Sequence, residues 1–174
     1  MTISQATPAL NARSKSSNIL PLQARAPERL VGVGFRCWLA GFSTGDIGRW
    51  EEAWNTFAGT LGEQHAKPLL LDLSQFVRAV QATTQRDIEV GPSGCRAFCR
   101  DECLAISMIA ACQHDARTAL TASAAALIGS DDIGDVLNGA QTFACGLREA
   151  NQMLCMESIC PATCAMQALR RRPI

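Results

Sequence analysis

Three cysteines fall within the ten residues "GCRAFCRDEC", 94–103. Cys95, Cys99 and Cys103 recur every four residues. On a helix, residues i and i+4 stand about 5–6 Å apart, close enough for two thiolates to share one metal. Thiolates select Zn, Cu(I) or an iron–sulfur cluster over hard cations. On a helical wheel, Cys95, Cys99, Ile106 and Ile109 share a face, with Cys103 on its shoulder. Glu102 falls in the middle of that face. A carboxylate in an apolar stripe is costly unless it is paired or liganded. Arg96 and Arg100 flank the cluster and favour thiolate over thiol. Near the other end, Cys160 and Cys164 repeat the same spacing, with Cys155 shortly before them. Two such pairs facing each other across a bundle make a candidate ligand set of Cys95, Cys99, Glu102 and Cys103, supported by Cys160 and Cys164. His114, beside Cys112 and Asp115, is a candidate nitrogen donor.

The same residues have a structural reading. A cysteine without a disulfide behaves as a small buried hydrophobe. Glu102 would then pair with an arginine, with Arg78 and Arg148 as candidates. The spacing is neither the short knuckle of a zinc loop nor the CxxC of a redox pair. It is similar to the cysteine spacing of the copper-storage four-helix bundles, a likeness confined to Cys95/Cys99/Cys103 and Cys160/Cys164. The partner of Glu102 therefore discriminates: sulfur alone favours metal, an arginine favours structure. Cys37, Cys112 and Cys145 have no sequence partners and are expected in the core.

Enzymatic signals are missing from the motifs. No Ser, Cys or Lys sits in a nucleophile motif, and no Glu-x-x-His pair marks a di-iron bundle. "GVG" and "STGDIG" lack the strand–turn–helix setting and glycine pattern of a phosphate loop and read as turns. The chain is expected to be non-enzymatic. Two readings follow: a cysteine-rich helical protein that binds a soft metal or iron–sulfur cluster or senses redox state, and a non-catalytic interaction or regulatory protein with structural thiols.

The elements that must position these residues are helical. With 174 residues and 48% hydrophobic content, the chain suits one domain with a true core. Trp50, Trp54, Phe57 and Leu61 form a helical stripe, with Asp46 as N-cap and Gly62 as the end. Leu69, Leu73, Phe76, Val77 and Val80 form a second, opened by Pro68. "TTQRDIEVGPSG" reads as a loop, and a third helix is expected from about Ser93 to Cys112. Asp115 is a candidate cap for a fourth, from Ala116 to Ile128. A fifth, capped by Ser130, keeps its period as far as Leu154. Pro161 is placed to open a short last helix ending in Arg170–Arg172. Earlier, the glycine density from Gly32 to Gly48 suggests only a short helix around Phe35–Phe42. Trp38, Trp50 and Trp54 read as core anchors.

Alternating β-branched runs do not occur, so the fold class is all-α: a bundle of five to six helices. Residues 1–28 read as a disordered basic arm, and 29–174 as a single helical domain. Residues 1–27, with Arg13, Lys15 and Arg25 and no acid, and Arg170–Arg172 flank a middle holding ten bases and sixteen acids. That acidic body argues against nucleic acid, leaving a protein partner or homo-oligomer. No run reaches the length of a transmembrane segment. An odd count of nine cysteines without an export signal points to a reducing, cytoplasmic setting.

Overall fold

The structure, a computed structural model, describes residues 25–161. Those residues form six α-helices and one 3-10 turn, with no strand. The helices are α1 (Ala26–Thr44), α2 (Ile47–Leu61), α3 (Glu63–Thr83), α4 (Arg100–Gln113), α5 (Arg117–Ile128) and α6 (Gly134–Glu149). The 3-10 turn is Met156–Ser158. The all-α bundle expected from periodicity is what the chain forms. Most of the expected arm, and the whole of the expected last helix with Cys164 and Arg170–Arg172, lie outside the described residues.

α4 is the axis of the bundle. It packs against α1, α5, α6 and the 3-10 turn, while α1 also packs on α2 and α3, and α3 on α6. From Asp101 to Gln113 only Cys103 is not fully buried. A helix buried on every side needs small residues where neighbours approach, and Ala105, Ser107, Ala110 and Ala111 supply them. α4 therefore has no solvent face for a single apolar stripe to oppose. Phenylalanine rings join the outer helices. Phe35 of α1 meets Phe76 of α3 at 6.0 Å, and Phe57 of α2 meets Phe143 of α6 at 6.5 Å.

Several boundaries differ from expectation, each for a physical reason. α1 begins at Ala26, so the proposed arm ends earlier than residue 28, and it runs for 19 residues rather than the short stretch expected. Its glycines serve close approach. A Cβ on Gly32 would lie 2.2 Å from the Phe98 ring, and one on Gly41 would lie 2.5 Å from Trp50 Nε1. Tertiary packing outweighs the helix penalty of glycine there. α2 has both expected ends: Asp46 Oδ1 accepts from the Gly48 amide at 2.9 Å, and Gly62 closes it at φ 79°. α3 starts directly after Gly62, leaving Pro68 inside the helix rather than in its first turn. α4 and α5 are separate, divided at Asp115, which adopts a left-handed φ of 55°; the residue before α5 is Ala116 and makes no side-chain cap. Ser130 does accept the Asp132 amide, but α6 begins only at Gly134 and stops at Glu149. The chain from 150 to 154 is instead held by Gln113. Its Nε2 donates to the Gln152 carbonyl at 2.9 Å, and its Oε1 accepts the Leu154 amide at 2.8 Å.

Candidate functional site

The cysteine cluster sits where a long loop enters α4. That helix starts at Arg100, not near Ser93, so Cys95 lies in the loop and Cys99 is the residue before the helix. Acidic residues in a first turn complement the helix dipole, and Asp101 and Glu102 occupy it. Glu102 also reaches back to accept the Cys99 amide at 2.7 Å, the carboxylate half of a capping box.

The discriminating contact is decided here. Glu102 is fully buried and faces Arg36 of α1, neither Arg78 nor Arg148. Arg36 Nε donates to Oε1 at 2.6 Å and Nη2 donates to Oε2 at 2.8 Å. The Gly91 amide completes Oε1 at 2.8 Å, as the Cys99 amide completes Oε2. A carboxylate offers about four lone-pair sites, and all are filled. The arginine is equally occupied. Nη1 donates to the carbonyls of Cys95 at 2.9 Å and Pro92 at 3.4 Å, and Nη2 also donates to the Ala97 carbonyl at 2.8 Å. Its guanidinium lies over Phe98, 5.5 Å from the ring centroid. The Glu102 hydrogen bond holds the Arg36 pKa above its ordinary value. A second pair anchors the same loop: Asp101 accepts from Arg86 Nη2 at 2.5 Å, from Arg86 Nη1 at 2.9 Å and from the Glu89 amide at 2.9 Å. Thus two neighbouring carboxylates fasten a segment without regular structure.

The cysteines around this hub bond to neighbouring side-chain and backbone groups. Cys95 contributes its carbonyl to Arg36. Cys99 donates its thiol to the Glu89 carbonyl at 3.0 Å, and burial pushes that thiol up to about 11. Cys103 is half-buried, with its sulfur 3.8 Å from the Phe98 carbonyl. Cys160 donates its amide to Ser107 Oγ at 2.8 Å, and Ser107 in turn contacts Ser123 Oγ at 3.1 Å. Cys155 points its thiol at Glu157, and its amide donates to the buried Glu28. Cys37 and Cys112 are core residues as expected, and burial pushes each thiol up to about 12. Cys145, expected in the core, is exposed instead. His114 spends Nε2 on the Leu154 carbonyl at 2.8 Å. Among the described residues no group of three or more His, Cys, Asp or Glu side chains is arranged to hold a metal ion. Cys95, Cys99, Glu102 and Cys103 are therefore brought to one end of α4, but Glu102 is turned to an arginine. Cys164 lies outside the described residues.

A different feature lies on the far side of α1. A groove of about 520 Å³ is lined by Trp38, Trp50, Glu51, Trp54, Asn55 and Leu70. The three tryptophans, read from sequence as core anchors, are each only half-buried. Trp38 and Trp50 meet at 5.9 Å, and Phe42 contacts both rings, at 5.4 and 6.0 Å. The indole N–H groups of Trp38 and Trp50 are shielded from solvent and have no acceptor among the described residues. The sequence signal for this groove was present: Trp50 and Trp54 lie one turn apart on α2, with Glu51 and Asn55 one turn apart beside them. No known family model, curated protein or solved structure matches the chain.

Proposed function

We propose that the chain is a non-catalytic helical interaction protein whose cysteines are packing residues. The observation that carries this reading is the saturation of Glu102 by Arg36, Gly91 and Cys99. A carboxylate with no acceptor capacity left is not a ligand, and without it the cysteine cluster loses its hard anchor. The Cys99 thiol is also not poised as a thiolate: it donates to a carbonyl, and burial holds its proton on. The binding surface that suits an interaction protein is the tryptophan groove, since half-buried aromatic residues are favoured anchors for partners.

The test is replacement of Cys95, Cys99 and Cys103 together by alanine. Packing cysteines predict a folded variant, less stable by about 1–3 kcal/mol in urea. Loss of helical structure, recovered in the parent only by added Zn, Cu(I) or iron, would return the site to the soft-metal reading.

A further inference from the structure

Every tryptophan in the chain borders one groove. Trp38 and Trp50 pack against each other, while Trp54, one turn along α2, lines the groove apart from that pair. Glu51 is the charged residue of the lining. No cation pairs with it among the described residues, although the adjacent Glu52 has Arg49 at 3.6 Å and accepts from Ser93 Oγ at 2.7 Å. The same aromatic cluster already receives a cation: the Arg78 guanidinium lies 5.3 Å from the Phe42 centroid. The two buried indole N–H groups without acceptors cost stability that phenylalanine or leucine would not. Indole is thus retained where its polar atom is a liability. What indole offers is its face, the strongest aromatic surface for a cation.

We propose that this groove binds a quaternary ammonium compound as a small free ligand, its methylated head against the tryptophan faces and Glu51 supplying the countercharge. Charge complementarity fixes the sign, because the lining holds one carboxylate and no base. Hydration fixes the class. A primary ammonium is strongly hydrated and loses water on meeting an aromatic face, with Glu51 and Asn55 the polar side chains of the lining. A methylated cation is weakly hydrated, which is why aromatic cages select it. This names the ligand for the binding surface invoked above and rests on the non-catalytic reading.

Because the groove contains all the tryptophans, intrinsic fluorescence of the full chain reports on it without labelling. Choline is titrated at constant ionic strength against NaCl, with 3,3-dimethylbutanol as its uncharged isostere. The expected result is a saturable change with choline, and binding about tenfold or more weaker for the alcohol. Glu51→Gln, at an exposed position, weakens choline binding about threefold to tenfold. Trp54→Leu abolishes the response, and Trp54→Phe keeps a weakened one, with melting curves showing that each variant is folded. No saturable change with choline overturns the proposal. Equal binding of the alcohol also overturns it and leaves an apolar docking groove. Binding that ignores both Glu51 and Trp54 places the ligand elsewhere and overturns it too. The alanine replacement of Cys95, Cys99 and Cys103 is independent. If that variant is folded and choline does not bind, the ligand assignment alone fails. If folding of the variant depends on metal, the underlying reading fails.

Discussion

At the start of α4, Glu102 has both oxygens filled twice and Arg36 has every N–H group engaged, all away from water. At the groove lined by α1, α2 and α3, two buried indole N–H groups have no acceptor, and Glu51 no cation, among the described residues. Both regions place costly groups in or beside apolar surroundings, yet only the first satisfies them. Buried polar groups are paired when their task is to fix a structure. Where a protein leaves them unmatched, stability has given way to something else. On this difference we propose architecture for the cysteine-rich end of α4 and recognition for the tryptophans, the reverse of what residue chemistry alone suggests.

The largest effect that tests this contrast is at Arg36. Arg36→Met strands Glu102 in the core, and urea unfolding is expected to show a loss of about 3–5 kcal/mol. Adding Glu102→Leu to that variant removes the stranded charge and restores part of the loss, while the Gly91 and Cys99 amides and the Cys95 and Ala97 carbonyls stay without these partners. A cost below about 1 kcal/mol for the single change would mean that the hub does not hold the loop. Next in size is Gly32→Ala. Its new methyl meets the Phe98 ring that covers Arg36, and thermal unfolding should register a loss of about 1–3 kcal/mol.

A smaller effect comes from the core thiols. Burial raises Cys37 and Cys112 from 9.0 to about 12 in the folded chain. A folded pKa above the unfolded one favours the folded state fully below the unfolded value, and that advantage is lost as pH rises through the folded value. Stability should therefore decline from about pH 9 towards pH 12, a window free of tyrosine titration since the chain has none. Cys112→Ala flattens that decline in melts followed by circular dichroism. An unchanged slope would place the thiol in water. The smallest effect is the sharpest contrast with Arg36: Glu51→Gln should alter stability by no more than about 0.5 kcal/mol, since its carboxylate is exposed and unpaired.

Local signals were legible in the sequence and tertiary ones were not. α2 could be read with both ends because Asp46 and Gly62 act on amides within their own turn. The helical class followed from the same kind of short-range period. The start of α4 was misread because its stop signal lies 59 to 61 residues away, where Arg36 draws the carbonyls of Cys95 and Ala97 out of any helix. α1 was read too short because the purpose of Gly32 and Gly41 lies in Phe98 and Trp50, which only folding brings near. Cys145 was expected inside because its type favours burial, but its position on α6 faces solvent. For the site, spacing placed Cys95, Cys99 and Cys103 with Glu102 on one helix, whereas Cys95 lies in the loop and Cys99 precedes α4. Spacing could not identify the cation opposite.

The measurement closest to the central claim is elemental analysis with a visible spectrum, on full-length protein purified without oxygen or a metal-affinity tag, before and after exposure to Zn, Cu(I) and iron. The account predicts folded protein with no stoichiometric metal in either state. About one metal per chain, lost when Cys95 and Cys99 are replaced, would contradict it.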